Sequence, residues 1–137
     1  MRPSELFKNL YFHDSPVDAL VYSPENRDLR LKIDLCNFMQ EDYQEGEPDF
    51  LEGELTIRGI KAISFDPEPL QIVENGSIGG EILRFDAQEN TSQDEFEDIC
   101  LVLEVSDYPA KTHTTVAIEM TASEVEWVII GRIFQFR

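Results

Sequence analysis

Apolar and polar residues alternate along much of this chain with the period of a β-strand. The clearest run is 29–35, where Leu29, Leu31, Ile33 and Leu35 alternate with Arg30, Lys32 and Asp34. Successive strand side chains point to opposite faces, so the run predicts a strand with one buried and one wet face. The pattern extends to Asn37-Phe38-Met39 and resumes at Leu51, Leu55 and Ile57, with Glu52, Glu54 and Arg58 outward. Gly53 and Gly59 share the inward parity, and Gly59 predicts a bulge or bend before Ile60. Ile63 and Phe65 continue the strand until Asp66-Pro67-Glu68-Pro69 stops it.

The same reading places strands at 17–22, at 112–121 with Val116, Ile118 and Met120 on one face, and at 125–136. Residues 70–74 and 77–85 flank Asn75-Gly76, a strong hairpin signal because both positions tolerate positive φ. Residues 99–105 are apolar on both faces around Leu101-Val102-Leu103, which predicts a central strand. Ser23-Pro24-Glu25-Asn26 and Tyr108-Pro109-Ala110 are turns. Helical spacing occurs at the start, where Pro3 and Glu5 suit a first turn and Leu6, Phe7 and Leu10 share a face. The expectation is a single all-β, mainly antiparallel domain over 1–137. Its form is a β-sandwich or open barrel of about eight or nine strands with a short N-terminal helix. The predicted core contains Leu31, Ile33, Leu35, Leu55, Ile57, Leu101, Leu103, Ile118 and Trp127.

Composition adds size and sign to this picture. A chain of 137 residues, 42% of them hydrophobic, carries enough apolar material for one self-sufficient core. Eleven Lys and Arg face 28 Asp and Glu, for a net charge of −17. Phosphate backbones need clustered cations, and anionic membranes repel anions, so nucleic acid and membrane partners are not expected. A basic protein would be drawn in. The N-terminus has no apolar signal region, and Val128-Ile129-Ile130-Gly131 is far too short to span a bilayer. The expected location is the cytoplasm. There Cys36 and Cys100, each inside an apolar run, are free, reduced packing residues.

Candidate chemistry is sparse. His13-Asp14-Ser15 holds the residue types of a hydrolase triad, but adjacent extended residues point apart and no G-x-S-x-G elbow occurs. Asp14 or Ser15 more simply bonds backbone where the chain enters its first strand. His113 is predicted outward. Residues 86–97 place oxygens at EF-hand spacing and end on Glu97, yet Thr91 replaces the turn glycine, so an acidic surface loop is expected. No metal, cofactor or enzymatic role is therefore expected. The densest carboxylate run, 41–54, supplies the candidate partner contacts: Glu41, Asp42, Glu45, Glu47, Asp49 and Glu52, with Tyr43 and Phe50 as aromatic anchors.

Phe12-His13-Asp14-Ser15, a short apolar strand, a turn and then Leu29-Arg30-Leu31-Lys32-Ile33-Asp34-Leu35 resemble small bacterial β proteins grouped with the immunity proteins of polymorphic toxin systems. The resemblance covers the N-terminal half, through Gly59-Ile60 and Phe65-Asp66-Pro67. It implies a non-enzymatic cytoplasmic protein that binds and neutralises a toxin, and it carries over no binding residues. The expected function is an acidic interaction protein for a basic protein partner. The alternative is a small-ligand or metal-binding β domain. A homo-oligomer is compatible with either.

Overall fold

The computed structural model describes residues 1–67, 77–88, 95–107 and 112–134. A seven-residue helix, α1 (Pro3–Asn9), precedes eight strands: β1 (Pro16–Ser23), β2 (Asp28–Cys36), β3 (Phe50–Arg58), β4 (Ala62–Asp66), β5 (Ser77–Gln88), β6 (Glu97–Asp107), β7 (Thr112–Ala122) and β8 (Glu124–Ile133). A 3-10 turn over Asn37–Met39 ends β2. The strand order is β4-β7-β6-β5-β1-β2-β3-β8, and every described pair is antiparallel. The all-β expectation and the short helix therefore hold. The Asn75-Gly76 hairpin, the Tyr108-Pro109-Ala110 turn and the middle of the 86–97 loop lie outside the described residues.

The linear strand order hides a ring. β3 pairs β8 down to Arg58 opposite Glu124, and β4 pairs β7 from Ala62 opposite Thr121. Between them the Ser123 N–H donates to the Arg58 carbonyl at 3.3 Å and the Lys61 N–H to the Thr121 carbonyl at 2.8 Å. The ladder thus runs on through the corner. β3–β4 and β7–β8 form one bent two-stranded ribbon that joins the two ends of the sheet into a partly open barrel. Gly59 makes the bend, with φ at +67° and the Ser123 hydroxyl where a Cβ would stand. A residue without a side chain is required on both counts.

Inward parity fills the barrel. Leu31, Ile33, Leu35, Leu55, Ile57, Leu101, Leu103 and Ile118 are fully buried, as alternation predicts. Trp127 is half-buried against this cluster, because its indole lies over Gly53 on the neighbouring strand. α1 packs against β5, β6 and β8. Phe7 meets Phe85 at 4.5 Å, and Phe12 meets the Trp127 ring edge-on at 5.5 Å. These aromatic contacts seat the helix on the barrel.

Gly53→Ala is expected to displace the indole and destabilise the fold by about 1–3 kcal/mol, the usual cost of overpacking. Urea unfolding measures the loss, and emission from the single Trp should shift in the native state.

Candidate interaction surface

The loop between β2 and β3 is built around two of the sequence candidates. Asp49 is buried and accepts from the Tyr43 hydroxyl at 3.0 Å, while its backbone carbonyl takes the N–H groups of Asn37 and Phe38. Asn37 Nδ2 donates to the Pro48 carbonyl at 2.7 Å. Gln40 ties the loop to the N-terminal segment through both polar atoms, taking the Tyr11 N–H and donating to the Tyr11 and Cys36 carbonyls. Asp49 and Tyr43 therefore hold the loop's shape. Phe50 is half-buried beneath Phe38, edge-on at 5.6 Å. Glu41, Asp42, Glu45 and Glu47 remain exposed, and Glu52 is half-buried on β3. Glu47 has a local task, since its carboxylate accepts the Gln44 N–H at 2.8 Å.

The surface beside this loop was not among the sequence candidates. Phe50 stands opposite Ile133 in the β3–β8 ladder, so the loop adjoins the far end of β8. There Val128, Ile129, Ile130, Ile133 and Phe134 are 37–61% exposed, and Phe38 is exposed nearby. The register slips between Glu52 and Gly53, and Ile130 is the extra, bulged residue. The apolar run 128–130 was legible in sequence. It falls within the strand predicted at 125–136, and only its place at the sheet's end shows that it lies open.

Carboxylates crowd other parts of the outer face. Asp34 lies opposite Glu52, and its carboxyl is pushed up, first by burial and then by Asp18 and Glu52. Glu81 is also raised, first by desolvation, then by a hydrogen bond and repulsion from Asp14 and by repulsion from Glu104. The two histidines flank this second row: His13 Nδ1 is 3.1 Å from Asp14 Oδ1, and His113 Nδ1 is 3.4 Å from Glu104 and 3.0 Å from Ser106 Oγ. They sit at its two ends. Among the described residues no three His, Cys, Asp or Glu groups come together as a metal site.

The remaining candidates have structural roles. Ser15 is fully buried, and its hydroxyl accepts the Cys36 N–H at 3.0 Å, on β2 and not on its own segment. Glu97 points inward with its side chain wholly buried. It accepts the Ser4 N–H at 2.6 Å and the Ser4 hydroxyl at 2.8 Å, with Arg2 Nε at 2.9 Å. A carboxylate spent on the first turn of α1 is unavailable to a calcium loop. Cys36 and Cys100 are unbonded, and burial raises both thiols above their usual range, which keeps them protonated. A depression of about 480 Å³ lies over β4–β7–β6–β5, lined by Ser64, Arg84, Asp86, Asp98, Cys100 and Glu119 among others. Within it Arg84 is held by Asp86 at 2.6 Å and the Thr121 hydroxyl donates to Asp98 at 3.0 Å. No described helix is long and apolar enough to cross a membrane.

No family model matches the chain. No curated protein matches it either. A crystal structure of an uncharacterized protein from Neisseria gonorrhoeae is similar over 88% of this chain and 95% of that one, at 13% identity and a TM-score of 0.47. Likeness at that level carries no argument about function.

Glu97→Ala is expected to cost about 3 kcal/mol, at the low end for a broken buried pair because Arg2 stands half in water. Urea unfolding checks the value, and faster amide exchange in α1 checks the cause.

The raised carboxyls predict a pH dependence. Asp34 and Glu81 hold protons more tightly in the fold than in the unfolded chain, where their ordinary values are 3.8 and 4.5. Stability contributed by these groups is fully present below those values and falls as pH rises through the higher folded ones. The urea midpoint should therefore rise as pH is lowered through the folded values of these two carboxyls towards 3.8 and 4.5. Asp34→Asn should flatten that rise. Glu81→Gln should flatten it less, because Glu81 is exposed and screened.

Proposed function

We propose that this chain is a non-enzymatic interaction protein that binds a basic protein partner through the β2–β3 loop and the adjoining end of β8. The observation that carries the reading is the Phe50–Ile133 register. It sets four exposed carboxylates, Glu41, Asp42, Glu45 and Glu47, beside a strip of exposed aliphatic and aromatic side chains. Stable interfaces have this composition, with an apolar centre that excludes water and a polar rim that steers approach. A net charge of −17 gives the rim its sign.

The N-terminal resemblance to immunity proteins supports one version of this role, the neutralisation of a basic toxin in the cytoplasm. Two unbonded cysteines fit a reducing compartment. The depression beside Cys100 favours the second reading, a small-ligand binder, but Arg84, the one cation among its described lining residues, is already paired with Asp86.

Glu41→Lys, Asp42→Lys and Glu45→Lys together leave the loop's internal bonds intact, because those bonds belong to Gln40, Tyr43, Glu47 and Asp49. The triple variant should bind the protein captured from native cells with association slowed several-fold at low salt. The difference should shrink as salt rises and screening shortens towards about 8 Å. Unchanged association, or a captured partner that is itself acidic, would overturn the proposal.

A further inference from the structure

Among the described residues β8 is the last strand of the sheet and pairs only with β3. Its other edge is used once by the chain itself, where the Val125 N–H donates to the Met1 carbonyl at 2.9 Å. In an antiparallel ladder both backbone polar groups of a residue point to the same side, and that side alternates along the strand. If Val125 points away from β3, so do Trp127 and Ile129, before the bulge at Ile130. Among the described residues no second strand takes up those groups. The N-terminal segment makes one bond to this edge, at Met1.

The side chains around this edge suit an added strand. Val128, Ile129 and Ile130 are three consecutive apolar residues, all exposed. Natural proteins rarely leave such an edge open, because it templates pairing with another chain. The polar groups near it are mostly anionic. Glu54 lies opposite Val128 and Glu52 lies opposite Gly131, while Glu126, before the run, is paired with Arg58 at 3.0 Å and Arg132 is the one cation on the strand. A second copy would bring these carboxylates together between two chains that each carry −17. An extended segment alternating Lys or Arg with aliphatic residues would match both the apolar centre and the charge around it.

We propose that the free edge of β8, from Trp127 to Ile133, takes such a segment of the partner as an added antiparallel or parallel strand. The proposal rests on the basic-partner reading above and goes further, by making backbone pairing the basis of recognition.

The probe is a capped peptide of alternating Val and Lys, about eight residues long, with a twin N-methylated at alternate positions to remove one row of donors. Both are titrated into the intact chain at low salt, and amide exchange is followed along the chain. The unmethylated peptide should bind and slow exchange at 127–133, while the twin and the variant Ile130→Lys should bind about tenfold more weakly or worse. Equal binding by the methylated twin, or protection confined to 41–47, would overturn strand addition while leaving the basic-partner reading intact. No binding by either peptide would also overturn it, and the loop-reversal variant would then judge the basic-partner reading separately. A chain that sediments as a dimer with 127–133 already protected would assign the edge to a second copy and overturn the occupant proposed.

Discussion

The corner at Gly59 is the constraint on which the rest of the structure depends. The two bent strands must cross from one side of the barrel to the other without breaking their ladder, and they do so where the Ser123 hydroxyl occupies the space of a missing Cβ. Because the ladder survives the turn, β3–β8 and β4–β7 are one ribbon, and the core residues of both halves face one interior. Leu55 and Ile57 before the bend then share a core with Ile118 and Met120 beyond it. A side chain at residue 59 would oppose both the positive φ and the close approach.

The bend also decides what is covered. β8 leaves the ladder of β6 and β7 behind at the corner, and α1 packs against the strands on either side of that departure. Glu97 holds the helix there from the first residue of β6, across 93 residues of sequence from Ser4. The helix is only seven residues long, too short to be stable alone, so its place depends on this carboxylate and on the Phe7, Phe12, Phe85 and Trp127 rings. Past Trp127 burial falls away, and Val128, Ile129 and Ile130 are exposed.

The acidic character divides along the same lines. Glu97 and Asp49 are buried and spent on internal bonds, and Glu47, exposed, and Asp86, half-buried, are tied to local partners. Asp34 and Glu81 are raised by desolvation first and then by neighbouring carboxylates. Glu41, Asp42 and Glu45 stand in water with no such task described, and they sit beside the apolar edge. Charge count alone would rank all of these equally as partner contacts. Their burial and hydrogen bonds separate those that shape the fold from those free to act at a distance.

The alternation at 29–35 and 51–58 determined the strands, their inward residues and the bend at Gly59 without any tertiary information. Period-2 patterning records which face meets the core, and a positive-φ corner leaves glycine as its mark. Fold class and most of the core were therefore legible. The candidate surface was legible only in part. Asp49 and Glu41 look alike in sequence, and only packing shows that one accepts the Tyr43 hydroxyl inside the loop while the other faces solvent. Glu97 reads as the last ligand of an acidic loop, yet it becomes the anchor of a helix because strand pairing brings residues 4 and 97 together. Val128, Ile129 and Ile130 read as an apolar part of the last strand, with no sign of which side lies open. Local pattern records which residues are apolar, but exposure depends on which element lies alongside, and that contact is set by chain topology over long sequence distances.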